Sequence, residues 1–258
     1  MLATTIVLIH GAWLNGASWD PWVERLKSQG YDVIAPSWPY LDHRPSAVQS
    51  GVDSRLADVG IRELIAHYRA IVTALPERPI LVGHSFGGLI VEHLMDESLG
   101  SLGVAICPAP AKGIAASPRA LRTGLGVATK WHGGRKIHTI SEPKFARTFA
   151  NGYDDRNEAK HAWKRWAVPA PGRPFFELAY GDRPELAWNA QRPPMLLIGA
   201  GEDRTVTQGM VERAAREWTA VGAQTDLQIY EDRSHFITTE PGWEEVEDAV
   251  VAWISARS

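Results

Sequence analysis

The stretch Gly83–Gly88, which reads Gly-His-Ser-Phe-Gly-Gly, places a serine in a setting suited to nucleophilic chemistry. It directly follows the apolar run Pro79–Val82 and precedes a helical pattern that contains Leu89–Val91. A Gly-x-Ser-x-Gly sequence between a strand and a helix is typical of a sharp turn that holds the serine in a strained conformation with an exposed hydroxyl. The flanking glycines allow the strand and the helix to pack closely. We therefore predict that Ser85 is a nucleophile.

A serine hydroxyl is a weak nucleophile and needs an adjacent base. His235 lies between the last predicted strand and the last predicted helix, in the sequence Asp232–Phe236. Because loops that follow parallel strands gather at one edge of the sheet, His235 is predicted to lie beside Ser85. His10, at the end of the first predicted strand, is the alternative base.

The base in turn needs a carboxylate that fixes its tautomer and stabilises the imidazolium. Asp203 follows the fifth predicted strand and is the predicted acid. Glu202 and Asp232 are the alternatives: Glu202 replaces Asp203 if the turn differs by one residue, whereas Asp232 also fits a solvated charge in a loop.

An oxyanion that forms during acyl transfer requires two backbone N–H groups directed at it. The N–H of Phe86, directly after the nucleophile, is the first candidate. The second is the N–H of Ala12, in the loop His10–Trp13 that follows the first predicted strand. Trp13 and His10 are predicted to line the substrate pocket.

These residues require a parallel sheet to bring them together. Six short apolar runs, most of them followed by glycine or proline and then a helical pattern, predict its strands: Thr4–His10, Tyr31–Ala35, Pro79–Gly83, Leu102–Cys107, Met195–Ala200 and Thr225–Tyr230. Several of them are apolar at successive positions, as in strands covered by helices on both faces. The alternation of strands and helices predicts an α/β fold with right-handed crossovers.

Residues 109–193 interrupt this alternation. They contain no convincing strand, and their helical patterns lie near Ser141–Ala150, Asp154–Val168 and Pro174–Tyr180. Connections of this length usually carry their own structure or a function. We therefore predict a helical cap over residues 109–193, with residues 1–108 and 194–258 forming the core. Trp163 and Trp166 are candidate pocket residues, although their spacing fits core packing equally well.

Composition excludes several classes of protein. The 258 residues include 27 Lys and Arg against 30 Asp and Glu, a net charge of −3 that offers no electrostatic basis for binding nucleic acid or an anionic membrane. Cys107 is the only cysteine, so neither an intramolecular disulfide nor a cysteine-based metal site is predicted. No apolar run approaches the ~18 residues of a membrane span, and no basic residue precedes Arg25 as a signal peptide would require. We expect a cytoplasmic protein, of an oligomeric state that the sequence leaves open.

Taken together, the loop His10–Trp13 followed by Trp19, and the stretch Gly83–Gly88, resemble the α/β-hydrolase superfamily. They are most similar to its group of small esterases, plant-type methylesterases and hydroxynitrile lyases. The resemblance implies a mainly parallel six-stranded sheet with a cap after the fourth strand, no cofactor or metal, and an acyl-serine intermediate. Asp203 and His235 match the acid and base positions of the family. Phe236 stands where the lyases carry a lysine, which disfavours lyase chemistry.

The expected function is hydrolysis of small to medium hydrophobic carboxylic esters, with a small-molecule ester as the binding partner. Two alternatives stay open because one fold supports many reactions. The first keeps the fold but changes the reaction, to a lactonase, a thioesterase or a cofactor-free oxygenase, decarboxylase or other lyase. The second is a ligand-sensing protein that retains the three site residues but turns over negligibly.

Overall fold

A parallel sheet of six strands, in the order β2-β1-β3-β4-β7-β8, lies at the centre of the molecule. The computed structural model describes residues 4–41, 52–114 and 133–257. Its strands are β1 (Thr5–Ile9), β2 (Asp32–Ile34), β3 (Ile80–His84), β4 (Leu102–Ile106), β5 (Ile137–His138), β6 (Ala170–Pro171), β7 (Met195–Ala200) and β8 (Thr225–Tyr230). Every neighbouring pair in the six-stranded sheet is parallel, which confirms the predicted fold class.

Helices cover both faces of this sheet, so its central strands are apolar at successive positions. Every residue of β3, β4 and β7 is buried. The helices of the core are α1 (Asp20–Ser28), α2 (Ile61–Thr73), α3 (Phe86–Asp96), α7 (Gln208–Ala220) and α8 (Trp243–Ser255). Between β4 and β7 lie α4 (Glu142–Thr148), α5 (Arg156–Trp166) and α6 (Arg173–Tyr180).

The helix α3 packs directly onto the sheet, and all of its residues are buried. Glycine makes this approach possible. A Cβ on Gly87 would overlap the carbonyl oxygen of Ile9 in β1, and a Cβ on Gly83 would overlap that of Gly87. The turn between β3 and α3 is therefore held at the carboxyl edge of the sheet, where the loops after β1, β4, β7 and β8 also begin.

The structure departs from the sequence predictions in two places. The apolar residues of 56–75 have a spacing that predicts one continuous helix, but a short 3-10 helix (Ser54–Asp58) comes first and α2 begins at Ile61. The chain is extended at Val59 and Gly60, which separates the two helices. The segment between β4 and β7 was expected to contain no strand, but β5 and β6 pair there as a short antiparallel sheet.

Part of the predicted cap, residues 115–132, lies outside the described residues. The division of the chain into a core and a cap at residues 109 and 193 stays a prediction. No helix in the described ranges has the length and apolar character needed to cross a bilayer.

Candidate active site

Ser85 occupies the turn between β3 and α3 with a φ of 58° and a ψ of −119°. A positive φ is strained for a residue with a side chain, so neighbouring contacts must hold it in place. Its N–H donates to the carbonyl of Ile106 (2.9 Å), and its own carbonyl accepts from Leu89 (3.1 Å) and Ala109 (2.9 Å). These bonds tie the strained residue to both β4 and α3. The hydroxyl is thereby directed toward the loops at the carboxyl edge of the sheet.

Ser85, His235 and Asp203 form a continuous hydrogen-bonded row. Nε2 of His235 lies 3.1 Å from Oγ of Ser85, and Nδ1 of His235 lies 2.6 Å from Oδ2 of Asp203. His235 and Asp203 are buried, and Ser85 is 5% exposed. Since a carboxylate only accepts, Nδ1 carries the proton and Nε2 is free to accept the serine proton. The structure thus brings the predicted nucleophile, base and acid together.

Asp203 is fixed on its other oxygen by the backbone that follows it. Oδ1 accepts from the N–H groups of Thr205 (2.6 Å) and Val206 (2.8 Å).

Cys107 lies beside this pair, and the atoms of Cys107, Asp203 and His235 that could ligate a metal ion lie within 4.8 Å of one another. Burial, and then the charge of Asp203, raise the pKa of the Cys107 thiol well above its usual value, so it stays protonated against the carboxylate. The direct bond between Asp203 and His235 fits an acid–base pair.

Sequence reasoning did not select His84, which lies against the predicted base. Its Nε2–H donates to the backbone carbonyl of His235 (2.7 Å), and the two imidazole rings lie 4.8 Å apart. Nδ1 of His84 is buried and has no hydrogen-bond partner among the described residues. Burial, followed by the proximity of His235, lowers the pKa of His84 well below its usual value. His84 is therefore a neutral donor that holds the backbone of His235.

The two candidate oxyanion donors flank Ser85. Phe86 is the first residue of α3, so its N–H has no acceptor within the helix. Ala12 follows Gly11, which packs so closely on the nucleophile that a Cβ there would lie 2.8 Å from Cβ of Ser85. Both residues are buried. Their roles as donors stay predictions.

His10, the alternative base, is engaged elsewhere. Its Nε2 accepts from the N–H of Trp38 (3.0 Å), its Nδ1–H donates to the carbonyl of Gly11 (2.8 Å), and its ring stacks on Trp38. The imidazole therefore supports the loop that carries Ala12. The alternative acids Glu202 and Asp232 are both exposed, whereas Asp203 contacts the base.

Aromatic rings from the segment between β4 and β7 meet the site. The ring of Phe149, the residue directly after α4, lies 5.0 Å from the ring of His235 and 5.6 Å from that of Trp13. Phe175, in α6, lies 4.6 Å from Trp13 and 5.2 Å from Phe86. Trp13 is thus placed against the site, as expected of a pocket residue.

Trp163 and Trp166, the other candidate pocket residues, make different contacts. The indole N–H of Trp163 donates to the carbonyl of Ile140 (2.9 Å), and the face of Trp166 lies under the guanidinium of Arg165. From the described part of the segment between β4 and β7, the ring of Phe149 contacts His235 and the ring of Phe175 contacts Phe86. Only their aromatic character distinguished these two phenylalanines in the sequence.

A strained serine between a strand and a helix, joined to a buried histidine and aspartate at the edge of a parallel sheet, is the arrangement found in α/β-hydrolases. The chain belongs to the alpha/beta hydrolase family, whose model matches residues 6–249.

Two curated relatives match shorter stretches. A pimeloyl-[acyl-carrier protein] methyl ester esterase of Aliivibrio salmonicida is 34% identical over 85 residues, which cover 33% of this chain and 28% of that protein. A pyrethroid hydrolase of Sphingobium wenxiniae is 34% identical over 94 residues, which cover 36% and 31%. The match thus spans less than a third of the length of either relative.

Solved structures share the fold over nearly the whole chain. An extracellular α/β-hydrolase from a Paenibacillus species has a TM-score of 0.72 at 21% identity and covers 96% of this chain and 98% of its own. A pyrethroid hydrolase from Sphingobium faniae has a TM-score of 0.72 at 19% identity, covering 98% of both chains. A methylesterase from Arabidopsis has a TM-score of 0.68 at 17% identity, covering 98% and 99%.

Proposed function

We propose that this protein is a serine hydrolase that cleaves carboxylic esters of small to medium hydrophobic substrates through an acyl-serine intermediate. The observation that carries the proposal is the row of contacts from Oγ of Ser85 through His235 to Asp203. The two curated relatives, named a methyl ester esterase and a pyrethroid hydrolase, support this class of substrate.

The first half of the reaction acylates the serine. His235 accepts the Ser85 proton at Nε2 as Oγ attacks the ester carbonyl, and Asp203 stabilises the imidazolium that forms. The developing oxyanion accepts hydrogen bonds from the N–H groups of Ala12 and Phe86. The C–O bond of the ester then breaks, and the imidazolium gives its proton to the leaving alcohol.

The second half releases the acid. His235 takes a proton from water, the resulting hydroxide attacks the acyl carbonyl, and the same two N–H groups stabilise the second oxyanion. Collapse of this intermediate returns the proton to Oγ of Ser85. The resting arrangement is restored without any change in the protonation of Asp203.

The surroundings of the site favour apolar substrates. Trp13, Phe149 and Phe175 form adjoining aromatic surfaces beside His235 and Phe86. Such surfaces bury an apolar acyl or alkoxy group, while the hydrogen bonds of the site orient the ester. The two phenylalanines come from the segment between β4 and β7, which supports the proposal that this segment is a cap over the site.

Labelling with a fluorophosphonate, followed by peptide mass mapping, tests the assignment of the nucleophile. We expect Ser85 to be the one modified residue. Ser85→Ala should abolish labelling and lower the rate of ester hydrolysis at least about 10³-fold. Thr73→Val, an exposed change on α2, is the control and should retain both. Labelling at another residue, or hydrolysis that survives Ser85→Ala, would contradict the proposal.

A substrate panel tests the reaction class. Matched p-nitrophenyl esters, lactones and thioesters with the same apolar group are compared by kcat/KM. The esters are expected to be the best substrates. A clear preference for lactones or thioesters, or tight binding of these compounds without turnover, would overturn the ester assignment.

A further inference from the structure

The last two residues of α4 and the turn that follows them, residues 147–152, touch both of the loops that carry the acid and the base. We call this segment the α4 turn. The acid loop, residues 201–206, follows β7 and carries Asp203. The base loop, residues 231–240, follows β8 and carries His235.

Three hydrogen bonds join the α4 turn to the acid loop. The hydroxyl of Thr205 donates to the carbonyl of Thr148 (3.0 Å), and the amide of Asn151 donates to the carbonyl of Glu202 (3.0 Å). The guanidinium of Arg204 also donates to the carbonyl of Arg147 (3.3 Å). The residues on both sides of Asp203 are therefore bound to the α4 turn.

The base loop is bound by the same turn, on both sides of His235. The carbonyl of Phe149 accepts from the N–H of Phe236 (3.1 Å) and from the hydroxyl of Ser234 (2.8 Å). The ring of Phe149 meets the imidazole of His235 edge-on, with the two planes at 74°. The backbone and the side chain of Phe149 thus restrain the base together.

A buried carboxyl group completes the restraint of the base loop. One oxygen of Glu240 accepts from the N–H of Ser234 (2.9 Å), and the other lies against the Ser234 hydroxyl, whose single proton is shared between this carboxyl and the carbonyl of Phe149. Gly152 leaves room for it, since a Cβ there would overlap the Glu240 carboxyl. The end of the α4 turn therefore packs against the group that holds Ser234.

We propose that the α4 turn is a positioning segment, which sets the distance and angle between Asp203 and His235 from outside the sheet. This inference rests on the proposed function. Near their starts the two loops share a direct bond, from the N–H of Glu202 to the carbonyl of Arg233 (3.0 Å). Beyond that bond, hydrogen bonds from the α4 turn connect to both loops. A segment expected only to cover the site therefore also adjusts the acid–base pair.

The hydroxyl of Thr205 gives a clean test, because its removal leaves the backbone bond from Thr205 to Asp203 in place. Thr205→Val is expected to lower kcat about fivefold, the factor that one ordinary hydrogen bond is worth, with KM changed less than twofold. Thr205→Ser restores the hydroxyl and should recover kcat. Asn151→Ala, which removes an independent bond to the acid loop, should lower kcat to a similar extent.

Thr219→Val is the matched control. It removes a hydroxyl that donates to the carbonyl of Ala215 within α7 (2.8 Å), remote from the α4 turn. We expect Thr219→Val to have the kcat of the wild-type protein. The melting temperatures of all four variants should lie within a few degrees of the wild-type value. Wild-type kcat for both Thr205→Val and Asn151→Ala, or a loss that Thr205→Ser does not restore, would overturn the proposal.

A second measurement does not depend on turnover. The exchange with water of the Nδ1 proton of His235, followed by NMR and assigned by its loss in Asp203→Asn, reports the acid–base bond directly. Faster exchange in Thr205→Val, with wild-type exchange in Thr219→Val, supports the positioning role even if fluorophosphonate does not label Ser85. Unchanged exchange in Thr205→Val contradicts the positioning role even if Ser85 is the nucleophile.

Discussion

At the scale of single residues, His235 makes a backbone hydrogen bond in addition to the two ring contacts that proton transfer requires. The ring of His235 bonds Ser85 and Asp203, while its carbonyl accepts from His84. A neutral imidazole donates one N–H, so the bond from His84 fixes its tautomer as well as the backbone of the base. Because the carbonyl of His235 is buried, removing the His84 donor leaves an unsatisfied acceptor beside the reacting groups.

We expect His84→Phe to keep the ring packing but to remove this donor. The free energy of unfolding should fall by about 1–3 kcal/mol, and kcat should fall about fivefold or more with little change in KM. Urea unfolding and steady-state kinetics measure the two effects. Thr219→Val is the control, since it removes a hydroxyl that donates to the carbonyl of Ala215 (2.8 Å) within α7. Loss of kcat in both variants, or in neither, would contradict a positioning role for His84.

The residues of the site differ in how far the sequence could predict them. Ser85, Asp203 and His235 each follow a strand of the parallel sheet, so their positions in the chain indicated that they meet. The bond made by His84 could not be predicted, because its acceptor is a backbone carbonyl 151 positions away. Carbonyls carry no sequence signal, and only the folded chain shows which one lies within reach.

At the scale of elements, the position of the nucleophile depends on how closely α3 approaches the sheet. Gly87 faces the carbonyls of Ile9 and His10, at the end of β1. A side chain at this position meets backbone rather than a movable side chain. The helix must then move away from the sheet, and the turn that holds Ser85 moves with it.

Gly87→Ala is therefore expected to lower the free energy of unfolding by about 3 kcal/mol or more and to abolish activity. Gly209→Ala offers a matched comparison, because no atom lies within 4 Å of a Cβ at that position in α7. This variant should gain about 0.5–1 kcal/mol, since alanine loses less backbone entropy on folding, and should keep full activity. Urea unfolding of both proteins checks the pair. Equal effects of the two substitutions would contradict the close-packing argument.

The sheet could be predicted from the sequence more completely than the segment inserted into it. Continuous apolar runs identify strands covered on both faces, and the observed β7 and β8 end where they were predicted to end. Helical periodicity also indicated α5, but it shows only that one face is apolar and not which element covers that face. This is the physical reason why the sequence indicated Trp163 and Trp166 as candidate pocket residues and did not indicate that Phe149 and Phe175 lie beside His235 and Phe86.

At the scale of the whole molecule, buried ionisable groups make stability depend on pH, and two neighbours on α3 act in opposite directions. Burial raises the pKa of Glu92 to about 7 and lowers that of His93 to about 4. Between pH 4 and 6.5 the unfolded chain protonates His93 while the folded chain does not, so this group adds stability as pH rises. The contribution of Glu92 to the free energy of unfolding falls as pH rises. The pH dependence of the wild-type protein contains the contributions of both groups.

The sign for Glu92 follows from comparing the folded and unfolded chains. Below about pH 4.5 both are protonated and the group contributes no pH dependence. From there to about pH 7 the unfolded chain has released the proton that the folded chain retains, so rising pH favours unfolding. The folded carboxyl accepts from the indole N–H of Trp218 (2.9 Å) at one oxygen, while the other is buried with no partner among the described residues. This single bond does not offset the loss of solvent.

Glu92→Gln removes the titration but keeps an acceptor for Trp218. Relative to the wild-type protein, the free energy of unfolding of this variant should rise by about 2 kcal/mol between pH 5 and pH 7, whatever the difference at pH 5. Urea unfolding at intermediate pH values measures this relative change, in which the contribution of His93 cancels. Leu94→Met, a buried change on the same helix without a proton to release, should shift stability equally at every pH. A constant difference between Glu92→Gln and the wild-type protein would show that Glu92 is already ionised in the folded molecule at pH 5.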